Sequence, residues 1–158
     1  MNYFVESKRC KYIRRVLIAL FVVCGYLLST TYAIDVVEVN GEQVLSYMTA
    51  LNLAFGTLGG EIPVYTNKIA IIFFIIPLVG FLFMMFDKKS NVKNIVGMIC
   101  GIIGALSISF MIGVNIGMGS MVSVLLYFII TVLSAFAALF HRQDKTNSKE
   151  TKRLSVHE

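Results

Sequence analysis

The chain alternates between long uncharged stretches and short charged ones. No charged residue occurs in Val16 to Ile34, in Ile69 to Phe86 or in Asn94 to Phe140. Because roughly 20 residues of helix cross the hydrocarbon core of a bilayer, each of the first two stretches is long enough for one membrane span. The third stretch has 47 residues. As one helix it would be about 70 Å long, so we predict that it contains two spans joined by a turn.

The turn is expected where residues that tolerate turn geometry cluster, at Asn115, Gly117, Gly119 and Ser120. We therefore predict an all-α membrane protein, a four-transmembrane-helix bundle with a small extracellular cap between helices 1 and 2. The predicted segments are a basic cytoplasmic N-terminus (1–15), spans at 16–34, 68–87, 94–117 and 121–140, an extracellular loop (35–67), a cytoplasmic loop (88–93), an outer turn (118–120) and a flexible cytoplasmic tail (141–158).

The orientation follows from the distribution of Lys and Arg, because cytoplasmic loops carry the excess of these residues. Of the 14 basic residues, only Lys68 falls on the side of the extracellular loop, which also contains Asp35, Glu38, Glu42 and Glu61. The sequence thus predicts a protein of the plasma membrane with both termini in the cytoplasm. An open alternative is that the first stretch is a signal peptide cleaved after Ala33, although the stretch is longer than the usual apolar region of such a peptide.

The extracellular loop has the pattern of a hairpin followed by a short helix. Val36 to Val39 and Gln43 to Leu45 flank Asn40-Gly41, a pair that favours the type I′ turn of a two-residue hairpin. Ser46 to Phe55 has a good N-cap residue at its start and a glycine at its end, which predicts a short helix. Its apolar face would consist of Tyr47, Leu51 and Phe55.

The third predicted span contains a ladder of small residues at a spacing of four. Small residues at this spacing let two membrane helices approach closely. The interpretation we favour is packing inside the bundle, and the alternative is an interface between copies in a homo-oligomer or with another membrane protein. The helix-packing residues predicted are Gly97, Gly101, Ala105, Ser109, Gly113 and Gly117.

Other features of the sequence indicate neither an enzyme nor an ion transporter. Pro77 lies in the middle of the second span and is expected to kink it, since proline removes a backbone hydrogen bond. Charged residues occur only at the span ends, whereas ion carriers and proton relays need them at membrane depth. The motifs GxSxG, HExxH and CxxC are also missing from the sequence. We therefore predict no enzyme activity, no catalytic residues, no cofactor and no metal.

The net charge of +5 does not indicate nucleic acid, because the basic residues flank apolar spans. Their expected partner is anionic lipid at the cytoplasmic face of the bilayer. Three hypotheses on function remain. The first is a non-enzymatic accessory or scaffolding subunit that acts through helix packing. The second is a channel or facilitator for an uncharged small solute, and the third is a sensor or immunity protein that uses the outer loop.

Overall fold

The computed structural model describes residues 7–56, 66–87, 90–113 and 115–154, without the side chains of 39, 144, 145 and 147–154. Predictions that fall on other residues, such as Glu61, Lys88 and Lys89, lie outside this part of the chain. The described chain is mostly helical. Its elements are α1 (Lys8–Leu27), β1 (Ala33–Val39), β2 (Glu42–Met48), α2 (Ala50–Phe55), a 3-10 turn (Lys68–Ile71) that continues into α3 (Ile72–Phe86), α4 (Val92–Ile112) and α5 (Met118–Leu154).

Three helices are long and apolar enough to cross a membrane, namely Lys68–Phe86, Val92–Ile112 and the Met118–Gln143 part of α5. Their outer surfaces are strongly apolar, since Phe86, Phe110 and Phe128 are each exposed over two thirds or more of their surface. Such surfaces suit lipid and not water, which is consistent with an integral membrane protein.

The first helix differs from the predicted span 16–34. α1 begins at Lys8, so it includes five basic residues, and it ends at Leu27. It ends there because the hydroxyls of Ser29 and Thr30 bond back to the carbonyls of Tyr26 and Leu27, and because Ala33 already pairs with Met48 in the sheet. With its charges and shorter apolar part, α1 is not among the three helices that qualify as membrane spans by length and composition.

The predicted hairpin is present, and its strands are longer than predicted. β1 and β2 pair antiparallel from Ala33↔Met48 to Val39↔Glu42. Asn40 and Gly41 both have positive φ, +55° and +85°, as a type I′ turn requires. The hairpin rests on the connection between α4 and α5, since the Ile34 amide donates to the Asn115 carbonyl at 3.0 Å.

The short helix of the cap starts later than predicted, and it buries a different face from the predicted one. Thr49, not Ser46, is its N-cap, because the hydroxyl of Thr49 accepts from the amide of Asn52. Ser46 instead lies in β2. The predicted apolar face of Tyr47, Leu51 and Phe55 is exposed, and the helix buries Ala50, Leu53 and Ala54.

The last two helices also depart from their predicted limits. α4 ends at Ile112 and α5 starts at Met118, so the connection lies between these residues and not at 118–120. Where a flexible tail was predicted at 141–158, the helix continues to Leu154. The segment contains neither glycine nor proline, and nothing in its sequence ends a helix that is already formed.

Candidate helix-packing interface

α4 and α5 pack closely in an antiparallel interface, where glycines of α4 lie against residues of α5. A Cβ atom at Gly97 would lie 2.7 Å from Ser134 Oγ. One at Gly101 would collide with Thr131 Oγ1 and would lie 2.8 Å from the Tyr127 carbonyl oxygen. Real Cβ atoms do not make contacts this short, so the two backbones approach as closely as they do only because α4 has no side chain at these positions.

Two further glycine contacts extend this interface. Gly104 lies under the ring of Tyr127, whose atoms would be 2.9 Å from a Cβ. Gly97 also touches the end of Met84 on α3, so that α3, α4 and α5 meet at this residue. Gly104 does not belong to the predicted ladder, because the ladder follows a fixed spacing of four. The helical period would have found it, since spacings of four, three and four lead from Gly97 through Gly101 and Gly104 to Ile108, all of them buried.

The other members of the predicted ladder lie elsewhere. Ala105 is half-buried, whereas Ser109 and Gly113 are exposed. The reason is geometric, because at 3.6 residues per turn a spacing of four rotates by about 40° at each step, and the ladder turns away from α5. Gly113 follows the end of α4 and has a positive φ of +59°. The ladder therefore lines the α4–α5 interface only in its first half.

Gly117 belongs to a second close contact, between the α4–α5 connection and the segment that joins α1 to β1. A Cβ at Gly117 would lie 2.5 Å from the Thr31 carbonyl oxygen. The amide of Gly117 donates to the Tyr32 carbonyl at 3.1 Å, and that of Gly119 donates to the Thr31 carbonyl at 2.8 Å. These contacts fix the base of the hairpin on the helix bundle.

On the face of α5 that points into the bundle, buried polar residues are interspersed with the apolar Tyr127, Ile130 and Ala137. The sequence patterns did not single out this face. The Thr131 hydroxyl donates to the Tyr127 carbonyl of the same helix, and the Ser120 hydroxyl donates to the carbonyl of Gly117 just before the helix, each at 2.9 Å. The hydroxyls of Ser123 and Ser134 are buried and have no hydrogen-bond partner among the described residues. The buried polar residues on this face are Ser120, Ser123, Ser134 and His141.

The hydroxyl of Tyr32 lies beside this face, near the start of α5. It is also buried without a well-formed hydrogen bond. Tyr32 follows α1 and stacks at an angle on Phe73, with 5.3 Å between ring centroids. Burial raises the pKa of Tyr32 above its ordinary value, and the nearby Ser123 hydroxyl lowers it in part. The two hydroxyls are thus neighbours inside the bundle.

At the opposite end of the bundle, polar groups fix the start of α4. The Asp87 carboxylate accepts from the Ser90 amide at 2.9 Å, from the Ser90 hydroxyl and from the Lys93 amide at 3.3 Å. Such bonds satisfy amides that a helix start leaves without partners. Lys93 and Asn94 are almost completely buried, at 1% and 3% exposure. Lys93 was predicted in the cytoplasmic loop 88–93, whereas it lies in the first turn of α4.

Pro77 is buried inside α3 and lines an apolar groove between α3 and α1. The kink predicted at this residue stays a prediction. Within the described residues, no group of three or more His, Cys, Asp or Glu side chains is placed to hold a metal ion. None of the three cysteines, Cys10, Cys24 and Cys100, forms a disulfide within the described part of the chain. Comparison with protein-family models, with curated proteins and with solved structures gives no match.

One prediction follows from the neighbouring hydroxyls of Tyr32 and Ser123. The double variant Tyr32→Phe/Ser123→Ala removes two buried polar groups that lack good partners. We expect its free energy of unfolding to rise by up to about 1 kcal/mol, so that it unfolds at an equal or slightly higher temperature. Thermal unfolding followed by circular dichroism in detergent measures this. The control is Ser120→Ala, which removes a satisfied hydroxyl. A clear loss of stability in the double variant would mean that the two hydroxyls are paired.

Proposed function

We propose that the protein is a non-enzymatic accessory or scaffolding subunit of the plasma membrane, built from four membrane-spanning helices with both termini in the cytoplasm. The observation that carries the proposal is the division of the small-residue ladder. Gly97 and Gly101 pack against α5 inside the chain, whereas Ser109 is exposed on the outer surface of α4 and Gly113 is exposed just beyond its end. The exposed half is suited to the helix of another membrane protein.

The packing of α1 supports its role as the fourth span. The ring of Phe21 occupies the space above Gly80 of α3, so these two residues lie at the same depth. Arg15 is six residues before Phe21, and Phe86 is six residues after Gly80. The basic end of α1 is therefore level with the end of α3, about 9 Å further along each helix. Lys and Arg side chains at such a position reach into the headgroup region.

The depth of the other end of α1 agrees with this arrangement. Tyr32, just beyond α1, contacts Phe73 near the start of α3. The side chains of Leu17, Phe21 and Cys24 are at most 1% exposed, so α1 is a part of the bundle core. This packing supports the proposal that α1 is retained and not cleaved as a signal peptide. The excess of basic residues at the Arg15 end supports a cytoplasmic N-terminus.

The outer surface of α4 offers a defined face for a partner helix. Ala105 and Ser109 lie one turn apart on this face, and Leu106 and Phe110 on the same side are 50% and 84% exposed. The Ser109 hydroxyl already bonds to the Ala105 carbonyl at 2.9 Å. The partner therefore needs to supply close packing and not a hydrogen-bonding group.

The variant Ser109→Leu tests this proposal, because it fills the exposed face without touching the core. Tagged full-length protein is crosslinked in its native membranes and purified, and the co-purified membrane proteins are quantified by mass spectrometry. We expect a specific partner whose recovery falls at least about fivefold with Ser109→Leu, which corresponds to roughly 1 kcal/mol of packing energy. The matched control is Val122→Leu on the exposed surface of α5. Recovery of monomer alone, or equal recovery with both variants, would contradict the proposal.

A second candidate function is a facilitator for an uncharged small solute, and it is supported by the polar inward face of α5. Ser123 and Ser134 are buried there, and neither hydroxyl makes a well-formed hydrogen bond within the described residues. A hydroxyl can donate to and accept from a small polar solute. Liposomes that contain the protein would then shrink or swell faster than empty liposomes with at least one solute of a panel such as glycerol and urea. Equal rates for the whole panel would exclude this function.

A further inference from the structure

An open apolar groove of about 380 Å³ runs between α1 and α3 on the surface of the bundle. Its depth comes from Gly25, where a Cβ would meet no atom within 4 Å. Aromatic and aliphatic side chains form both walls. The residues that line it are Phe21, Val22, Gly25, Leu28, Phe74, Pro77, Leu78 and Phe81.

Two exposed basic residues lie in line with this groove. Lys11, Arg15, Ile18, Val22 and Gly25 follow one another along α1 at spacings of four, three, four and three. Residues at these spacings share one face of a helix. Lys11 and Arg15 are exposed, whereas Ile18 packs against the core. The face of α1 that forms the groove thus ends in two positive charges, which indicates an occupant with an apolar part and an anionic head.

The distance along this face fits one leaflet of a bilayer. Gly25 is ten residues after Arg15, about 15 Å along the helix. This is half the thickness of a hydrocarbon core of roughly 30 Å, so the groove reaches the midplane from the level of Arg15. An acyl chain whose headgroup lies beside Arg15 would run past Val22 and end near Gly25 and Pro77.

We propose that the groove and the two basic residues form a binding site for one anionic phospholipid of the inner leaflet. Its phosphate is held by Lys11 and Arg15, and one acyl chain lies along Val22, Gly25 and Pro77. The site depends on α1 as the fourth span with a cytoplasmic N-terminus, but not on a partner helix at α4. The retention of lipid that merely surrounds the protein would depend neither on the charges of Lys11 and Arg15 nor on the open space at Gly25.

Native mass spectrometry of the full-length protein in detergent tests the site, with phosphatidylglycerol and phosphatidylcholine of identical acyl chains as probes. We expect one retained phosphatidylglycerol per chain and at least fivefold weaker retention of phosphatidylcholine. A basic residue near a membrane surface contributes about 1 kcal/mol to the binding of anionic lipid, which is about fivefold in affinity. Lys11→Gln/Arg15→Gln is expected to remove the preference between the two lipids, and salt at about 1 M should weaken it.

The shape of the groove is tested separately by Gly25→Leu, which fills the open space with a side chain. We expect at least fivefold weaker retention of phosphatidylglycerol with this variant. The matched controls are Arg142→Gln, an exposed basic residue on α5, and Val132→Leu, an exposed apolar residue on α5, and both should bind as the parent protein does. Unchanged unfolding temperatures establish that the variants are folded.

Three outcomes would overturn the proposal. Equal retention of the two phospholipids would leave no role for Lys11 and Arg15. A preference for phosphatidylglycerol that survives Gly25→Leu would assign the effect to the basic surface alone. A dimer in the spectrum that Gly25→Leu abolishes would identify a second copy of the chain as the occupant of the groove. Each of these results is independent of whether Ser109→Leu lowers the recovery of a partner protein.

Discussion

Replacing Gly101 with alanine is expected to lower the free energy of unfolding by about 3 kcal/mol. The added Cβ would collide with Thr131 Oγ1 and would lie 2.8 Å from the Tyr127 carbonyl oxygen and 3.1 Å from the Thr131 amide nitrogen. Two of these three atoms belong to the backbone of α5, which cannot move aside as a flexible side chain could. The interface between α4 and α5 would therefore have to separate along part of its length.

The measurement is unfolding in mixed micelles, with the helical signal in circular dichroism followed as the fraction of denaturing detergent increases. Gly25→Ala is the matched control, since it makes the same substitution inside a helix where a Cβ meets no atom within 4 Å. That variant should be as stable as the parent or more stable by up to about 1 kcal/mol, because alanine favours a helix over glycine. Similar unfolding curves for the two variants would mean that α4 and α5 do not approach closely at Gly101.

The same contact explains why the sequence predicted the interface only in part. Small residues at a spacing of four predicted that α4 is approached closely by a neighbouring helix, and Gly97 and Gly101 lie against α5. The spacing could not indicate where the contact ends, because a rotation of about 40° per step moves Ser109 away from α5. That limit depends on the direction in which α5 crosses α4, which no local pattern encodes.

The fold was predictable where one local property decides the structure. Uncharged runs long enough for a bilayer predicted the helices that include Ile72–Phe86 and Val92–Ile112, and Asn40-Gly41 predicted the hairpin because the turn needs two positive φ angles. The end of α1 at Leu27 was not predictable in this way. Besides the local hydrogen bonds of Ser29 and Thr30, it depends on contacts between residues that are distant in sequence. These are the pairing of Ala33 with Met48 and the contact of Ile34 with Asn115.

The orientation of α2 shows a similar limit. Tyr47, Leu51 and Phe55 have the spacing of a buried face, but Tyr47 belongs to β2, and the helix starts only after Thr49. The strand continues to Met48 because its partner Ala33 lies at the base of the hairpin. Because β2 includes these residues, α2 is shorter than predicted, and it buries the small side chains of Ala50 and Ala54 together with Leu53. Long-range pairing therefore overrides the local helical pattern.

The contact between Phe21 and Gly80 leads to the second large effect that we expect. Phe21 is 1% exposed, and its Cε1 and Cζ atoms occupy the space that a side chain at Gly80 would need. Phe21→Ala should lower the free energy of unfolding by about 3 kcal/mol, as usual when a large buried side chain is removed. Gly80→Ala alone should cost about 2 kcal/mol, because the ring of Phe21 is held by α1 and α3 and cannot withdraw easily.

A double-mutant cycle separates this contact from a general loss of packing. Leucine at position 21 lacks the Cε1 and Cζ atoms, so Gly80→Ala in the Phe21→Leu background should cost less than about 0.5 kcal/mol. The coupling energy between the two positions would then be about 1.5 kcal/mol, measured by unfolding in mixed micelles. Gly25→Ala combined with Phe21→Leu is the control pair, and its two effects should add, since a Cβ at Gly25 touches no atom.

This cycle also decides whether α1 is a permanent part of the bundle. A signal peptide would be absent from the mature protein, so substitutions at Phe21 would leave its stability unchanged and Gly80→Ala would meet no ring. Additive effects at positions 21 and 80 would therefore contradict the close contact of α1 with α3, and with it the four-helix arrangement. Strong coupling, together with an intact mass that includes residues 8–27, would instead make α1 the helix that closes the bundle against α3 and α5.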